Sequence, residues 1–239
     1  MKKLAYISVL FAAVLMLGSC NIRFERASKH NGPKVEKNYE IKPFQSLEVS
    51  AGVGVVFKMG DEYGMIVEGS EEEMKRFEIV QKDGVLSLSR KSDMENVIHM
   101  GSSSDELYPI TVTLVAPAFS KLSLSSGGEF FMKDTLVVNN MTIDITSGGS
   151  LVMNKFQCDR FQCNLSSGGE GVIAGLKAQN ITIDTSSGAS FHAKLHNCGD
   201  VKASASSGSS IELDGNARSI EQDESSGASI NIEDLKISK

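Results

Sequence analysis

A tripeptide that keeps returning constrains this chain more than any other feature. Ser/Thr-Ser-Gly ends at Gly127, Gly148, Gly168, Gly188, Gly208 and Gly227, at intervals of 21, 20, 20, 20 and 19 residues. Such a period marks a repeat architecture, each copy being one small structural unit. Aligning the copies on the glycine exposes columns. Two residues before the second Ser stand Leu124, Ile145, Leu165, Thr185, Ala205 and Glu224. Four before it stand Leu122, Ile143, Cys163, Ile183, Ala203 and Gln222, and six before it, from the second copy on, Met141, Phe161, Ile181, Val201 and Ile220. Polar residues such as Thr142 and Asp144 lie between, so the period is two, that of a half-buried strand. A second alternating strand follows each glycine, with Phe130/Met132, Leu151/Met153, Gly171/Ile173, Phe191/Ala193, Ile211/Leu213 and Ile230/Ile232. A third apolar point comes at Leu136, Phe156, Leu176, Leu195, Ala217 and Leu235.

Strands this short bury nothing alone. Stacked at ~4.8 Å, each pairs with its equivalent in the next copy and the apolar points fuse into continuous columns. The expected fold is all-β: a β-solenoid, a single-stranded parallel β-helix of right-handed sense, with coils of about 20 residues. A propeller needs roughly twice this period, and serial hairpins would not place like residues over like. Glycine supplies backbone freedom where strand one turns into strand two, and the small Ser, Gly or Ala after it lets corners stack closely.

Both ends read differently from the middle. Gln222 and Glu224 occupy inward columns, which suits a terminal coil whose face meets water. Toward the N-terminus, Leu47 to Phe57 is a degenerate copy of strand, glycine corner and strand. Tyr63–Glu68, Val85–Ser89 and Ile110–Val115 are further expected strands, Ser70 before Glu71-Glu72-Glu73 caps a short helix ending near Phe77, and Lys91–Glu106 reads as an exposed loop.

Lys2 and Lys3 precede a fourteen-residue apolar run, Leu4–Leu17. That is too short to cross a ~30 Å hydrocarbon core, so it reads as a signal peptide. It ends in Leu17-Gly18-Ser19-Cys20, which resembles a bacterial lipobox. Cleavage before Cys20 and lipidation of its thiol would anchor an otherwise soluble chain to the membrane, as an outer-membrane lipoprotein facing either the periplasm or the outside. The expected organisation is therefore 1–19 signal peptide, 20–40 lipidated tether, 41–119 N-terminal β region continuous with the solenoid, and 120–239 regular solenoid of six coils. The net charge of −6, without a basic block, argues against nucleic acid as a partner.

With a lipobox, Phe44-x-x-Leu-x-Val-Ser-x-Gly52, Val112-x-Leu-Val-Ala-Pro117 and the serial Ser-Gly corners on the page, the chain resembles the putative auto-transporter adhesin, head GIN domain family of envelope proteins. The resemblance covers about residues 41 to 235. It implies a fold and an adhesin-like role, and carries over no catalytic residue.

The outward column of strand one holds Asp144, Asn164, Asp184, Ser204 and Asp223. Such a ladder of oxygens could bind Ca²⁺ or glycan hydroxyls, but Asp144 and Asp184 are two rungs apart, roughly 9.6 Å, too far to share one ion. The simpler reading is a solvated face kept polar against edge pairing. His192 and His196 lie on a strand and a corner and do not share a helical metal-binding face. Lys155, Arg160, Lys177 and Lys194 fall in no common column, and the short connections leave no walled groove of the kind polysaccharide-cleaving solenoids use. Cys158 and Cys198 share a phase two rungs apart, beyond disulfide reach, and Cys163 packs inward as a small hydrophobe. The expectation is a lipid-anchored, non-enzymatic binding or structural module for a glycan or protein ligand, without cofactor or metal. A polysaccharide-active enzyme and a self-associating envelope component, a homo-oligomer, are the alternatives.

Overall fold

The computed structural model describes residues 33–91 and 109–238. The signal segment, Cys20 and nearly all of the loop expected at Lys91–Glu106 lie outside the described residues. The strands in chain order are β1 (Lys34–Tyr39), β2 (Ser46–Val49), β3 (Gly54–Met59), β4 (Gly64–Ser70), β5 (Phe77–Lys82), β6 (Val85–Arg90), β7 (Thr111–Ala116) and β8 (Lys121–Leu124). They continue as β9 (Glu129–Val137), β10 (Asn140–Ile145), β11 (Ser150–Leu165), β12 (Glu170–Thr185), β13 (Ser190–Ala205), β14 (Ser210–Glu224), β15 (Ser229–Asn231) and β16 (Leu235–Ile237). One short helix, α1 (Glu71–Arg76), joins β4 to β5.

The repeat is a β-solenoid of about six coils. Successive coils pair in parallel, like residue over like: Ile143 with Cys163, Cys163 with Ile183, Leu151 with Phe130. The alternation seen in the sequence is the alternation of burial, so in β10 Met141, Ile143 and Ile145 face the core and Thr142 and Asp144 do not. Fully burying one such side chain is worth about 1.5–3 kcal/mol, and columns of them supply what single coils lack. Phe156, Phe161 and Phe191 stack through the middle, with ring centroids 5.7 and 6.4 Å apart. Thr185, the polar member of its column, satisfies its hydroxyl against Ser209 at 2.9 Å. Strand one of each coil builds a first face, strand two a second.

The corners are tighter than the glycines alone indicate. Ser126, Ser147, Ser167, Ser187, Ser207 and Ser226 also have positive φ, 49–54°, each followed by its glycine at 70–73°. Two left-handed residues in a row, closed by bonds such as Gly169 N–H to Ser166 O at 3.0 Å, make a type I′-like turn. The turned peptides form a ladder of their own. Gly52, Gly127, Gly148, Gly168, Gly188 and Gly208 each donate N–H to the Ser carbonyl of the next corner, at 3.0–3.2 Å.

Two expectations need correction, and the stacking order adds a third finding. The expected tether over 20–40 does not hold at its C-terminal end, where Lys34–Tyr39 is strand β1, paired antiparallel with β4. The N-terminal coils are not stacked in chain order. β2 lies between β6 and β8, and β3 between β7 and β9, so the first coil in sequence is the second in space. The third apolar column runs Leu176, Leu195, Gly215 and Leu235, whereas Ala217 stacks on Cys198. Asn197, with φ 52°, is the extra residue that shifts the register between Leu195 and Cys198.

The two ends differ. At the N-terminal end β4 and β1 add antiparallel strands to the second face and β5 adds one to the first, while α1 crosses between them. Ser70 caps α1 as expected, accepting the Glu73 N–H at 3.3 Å, and Met74 is buried beneath it. At the other end Gln222 and Glu224 are exposed, which confirms a terminal coil.

Candidate binding face

The outward column of the first face continues past the repeat at its N-terminal end. In order of stacking it reads Ser87, Glu48, Ser123, Asp144, Asn164, Asp184, Ser204 and Asp223. Carboxylates occupy alternate rungs and hydroxyl or amide groups the rungs between. The reason is electrostatic: acids on neighbouring rungs would sit ~4.8 Å apart with like charge, and a Ser or Asn between them can donate to one. Ser87 Oγ donates to Glu48 at 2.5 Å and Asn164 Nδ2 to Asp144 at 2.7 Å. Lys121 stands 3.7 Å from the other oxygen of Asp144.

A groove of about 580 Å³ follows this column and is lined by Asp144, Asn164, Asp184, Ser204 and Asp223, so the structure brings all the predicted polar residues together. A second line of oxygens runs beside them: Thr146, Ser166, Ser186, Ser206 and Ser225. Sequence reasoning misses this line. Its signal is present, since these are the first residues of the six corner motifs bar one, but in the sequence they look like turn formers only. The corner glycines do not line the groove; they hold its edge by fixing the turn that presents Thr146 and the serines.

A separate hollow of about 190 Å³ is lined by Lys155, Lys177 and His196 among others, and by no carboxylate. Lys155 and Lys177 occupy different columns, as expected, yet share this wall. Among the described residues, Cys158, Cys163 and Cys198 are free and buried. Burial pushes the Cys158 thiol up to about 12 and the Cys163 thiol well above its ordinary range, and Cys198 is raised for the same reason.

This fold is shared with known proteins. The family described as "Putative auto-transporter adhesin, head GIN domain" matches residues 43–176 and 164–239. The chain belongs to that family. A crystal structure described as a putative adhesin from Parabacteroides merdae is similar at TM-score 0.63 and 13% identity, covering 85% of this chain and 97% of its own. One from Bacteroides fragilis, likewise described, gives 0.57 and 14%, covering 86% and 98%. A third, from Parabacteroides distasonis, gives 0.50 and 14%, covering 84% and 98%. At these identities the similarity concerns the fold. No curated protein sequence matches the chain.

Proposed function

We propose that this family member is a non-enzymatic adhesin module of the cell envelope, held to the outer membrane by lipid on Cys20, that binds a glycan along the first face. The observation that carries the reading is the paired line of oxygens in the groove, Asp144 to Asp223 beside Thr146 to Ser225. Its donors and acceptors recur at every rung, ~4.8 Å apart, which suits a polar polymer lying along the stack better than a small molecule held in an apolar pocket. Hydrolysis of a glycosidic bond calls for an acid and a second carboxylate flanking the bond. Here the carboxylates stand in one line along one side of the groove, and Asp184 and Asp223 are exposed. That arrangement supports binding without cleavage.

The test is a glycan array with the full chain, followed by Asp184→Ala and Asn164→Ala. A retained glycan whose binding falls in both variants supports the reading. Equal binding by parent and variants, or appearance of shortened products, overturns it. The anchor is tested separately: Cys20→Ala should move the protein from the membrane to the soluble fraction.

A further inference from the structure

We propose that His192, Glu212 and Asp214 form a surface site for a divalent transition-metal ion of the zinc class. The site is on the second face, so it does not rest on the glycan reading. The outward column there runs Val56, Phe131, Val152 and Val172, and then changes character to His192, Glu212 and, on the rung after, Asn231. Glu212 and Asp214 are two residues apart on β14 and therefore project from the same side. His192 is the pairing partner of Glu212 on the preceding rung. The backbone ladder, not side-chain chance, brings the three together.

The geometry is close to what such an ion needs. His192 Nε2 lies 3.0 Å from Asp214 Oδ2, and the ligand atoms of all three residues lie within 4.8 Å of one another. Ligands bonded at ~2.0–2.2 Å around a tetrahedral ion sit roughly 3.3 Å apart. The His192–Asp214 pair, at 3.0 Å, has only to open by a few tenths of an ångström to meet that spacing. Glu212 is exposed, and rotation of its side chain brings its carboxylate in without moving the strand. One imidazole nitrogen with two carboxylate oxygens is the donor set of a borderline ion such as Zn²⁺, whereas Ca²⁺ takes six to eight oxygens. Lys194, the partner of Asp214, is exposed at the fourth corner of this square and has a flexible stem that can swing clear. Three protein ligands leave a coordination position facing solvent for water or for an oxygen of a second molecule.

Tag-free full chain titrated with ZnCl₂ in a calorimeter should bind one equivalent, and Co²⁺ should give a visible absorption band at the same stoichiometry. His192→Ala and His192→Gln should each weaken binding at least tenfold, with smaller losses for Asp214→Asn and Glu212→Gln, while His196→Ala leaves it unchanged. Melting curves alongside show that each variant is folded. Absence of saturable binding, an equal loss in His196→Ala, or tighter binding of Ca²⁺ than of Zn²⁺ overturns the assignment and leaves His192–Asp214 an ordinary ion pair.

Discussion

Arg90 joins the helix at one end of the solenoid to the first carbonyl of the corner ladder through the carboxylate of Glu73. Its Nη1 stands 2.5 Å from Glu73 Oε2, and its Nε donates to Ala51 O at 2.5 Å. Ala51 is the first rung of the corner series, and the guanidinium supplies the donor that a preceding corner would have supplied. Glu73 is buried and also meets Arg76 at 3.4 Å. Removing one partner of a buried pair typically costs about 3–5 kcal/mol, and the remaining Arg76 contact should reduce that for Arg90→Ala to about 1–3 kcal/mol. The double variant Glu73→Leu/Arg90→Leu should lose less than the sum of the single changes, as read from denaturant midpoints. Additive losses would mean that the two side chains act independently.

The two glycines of one corner should fail for different reasons. Gly168 has φ +71° and open space where a Cβ would stand, so Gly168→Val costs only backbone strain, about 1–2 kcal/mol. At Gly169 a Cβ would lie 2.9 Å from Ile145 Cγ2 and from Ile145 O. Gly169→Val should therefore cost more than Gly168→Val and should loosen pairing of β10 with β11. Melting temperatures of the two variants decide the order, and the reverse order would refute the close stacking of corners.

The column of Leu165 and Glu224 tests the stacking itself. Glu224 is exposed on the terminal rung and accepts the Ile230 N–H at 2.8 Å. Glu224→Leu should lose about 1 kcal/mol with that bond and leave an apolar column end exposed, favouring association seen by light scattering. Leu165→Glu, in the same column inside the stack, should cost several kcal/mol by burying an unpaired charge. Similar behaviour of the two would be incompatible with the register.

Alkaline pH should destabilise the chain through its thiols. Cys158 titrates near 12 when folded, raised by burial first and by Asp159 next, against an ordinary value of 9.0. A folded value above the unfolded one means the stabilising contribution is complete below about pH 9 and is lost as pH rises toward 12. Melting temperature should fall across that window, and less steeply in Cys158→Ala/Cys163→Val. In the native state at pH 8 the thiols of Cys158, Cys163 and Cys198 should resist maleimide and become reactive on unfolding.

The regular coils are legible in the sequence because stacking forces each position to repeat its neighbour's chemistry, so Ile143, Cys163 and Ile183 announce one column. The corner is half legible. Glycine marks a left-handed residue, but the serine before it adopts the same region at a cost that only the inter-corner hydrogen bonds reveal. Ala217 stands outside the column that the sequence suggests for it because Gly215 holds that column without a side chain; a Cβ there would lie 2.0 Å from Leu195 O. The threading of β2 between β6 and β8 leaves no local trace, since all three strands carry the same alternation of buried and outward residues. On the candidate face, the alternation of acids is visible in the repeats, whereas Glu48 and Ser87 join the line only through that threading.

Arg90 terminates the corner ladder at one end, and among the described residues Gly208 N–H to Ser226 O is its last bond at the other. Nothing inside a coil encodes how many coils there are, because each recognises only its neighbours. Length is thus a free variable of this architecture. An in-frame duplication of a twenty-residue unit such as 170–189 would add one storey to the tower, moving the far end outward while leaving both terminations as they are. Gene duplication would in this way lengthen the tower without redesigning any part of it.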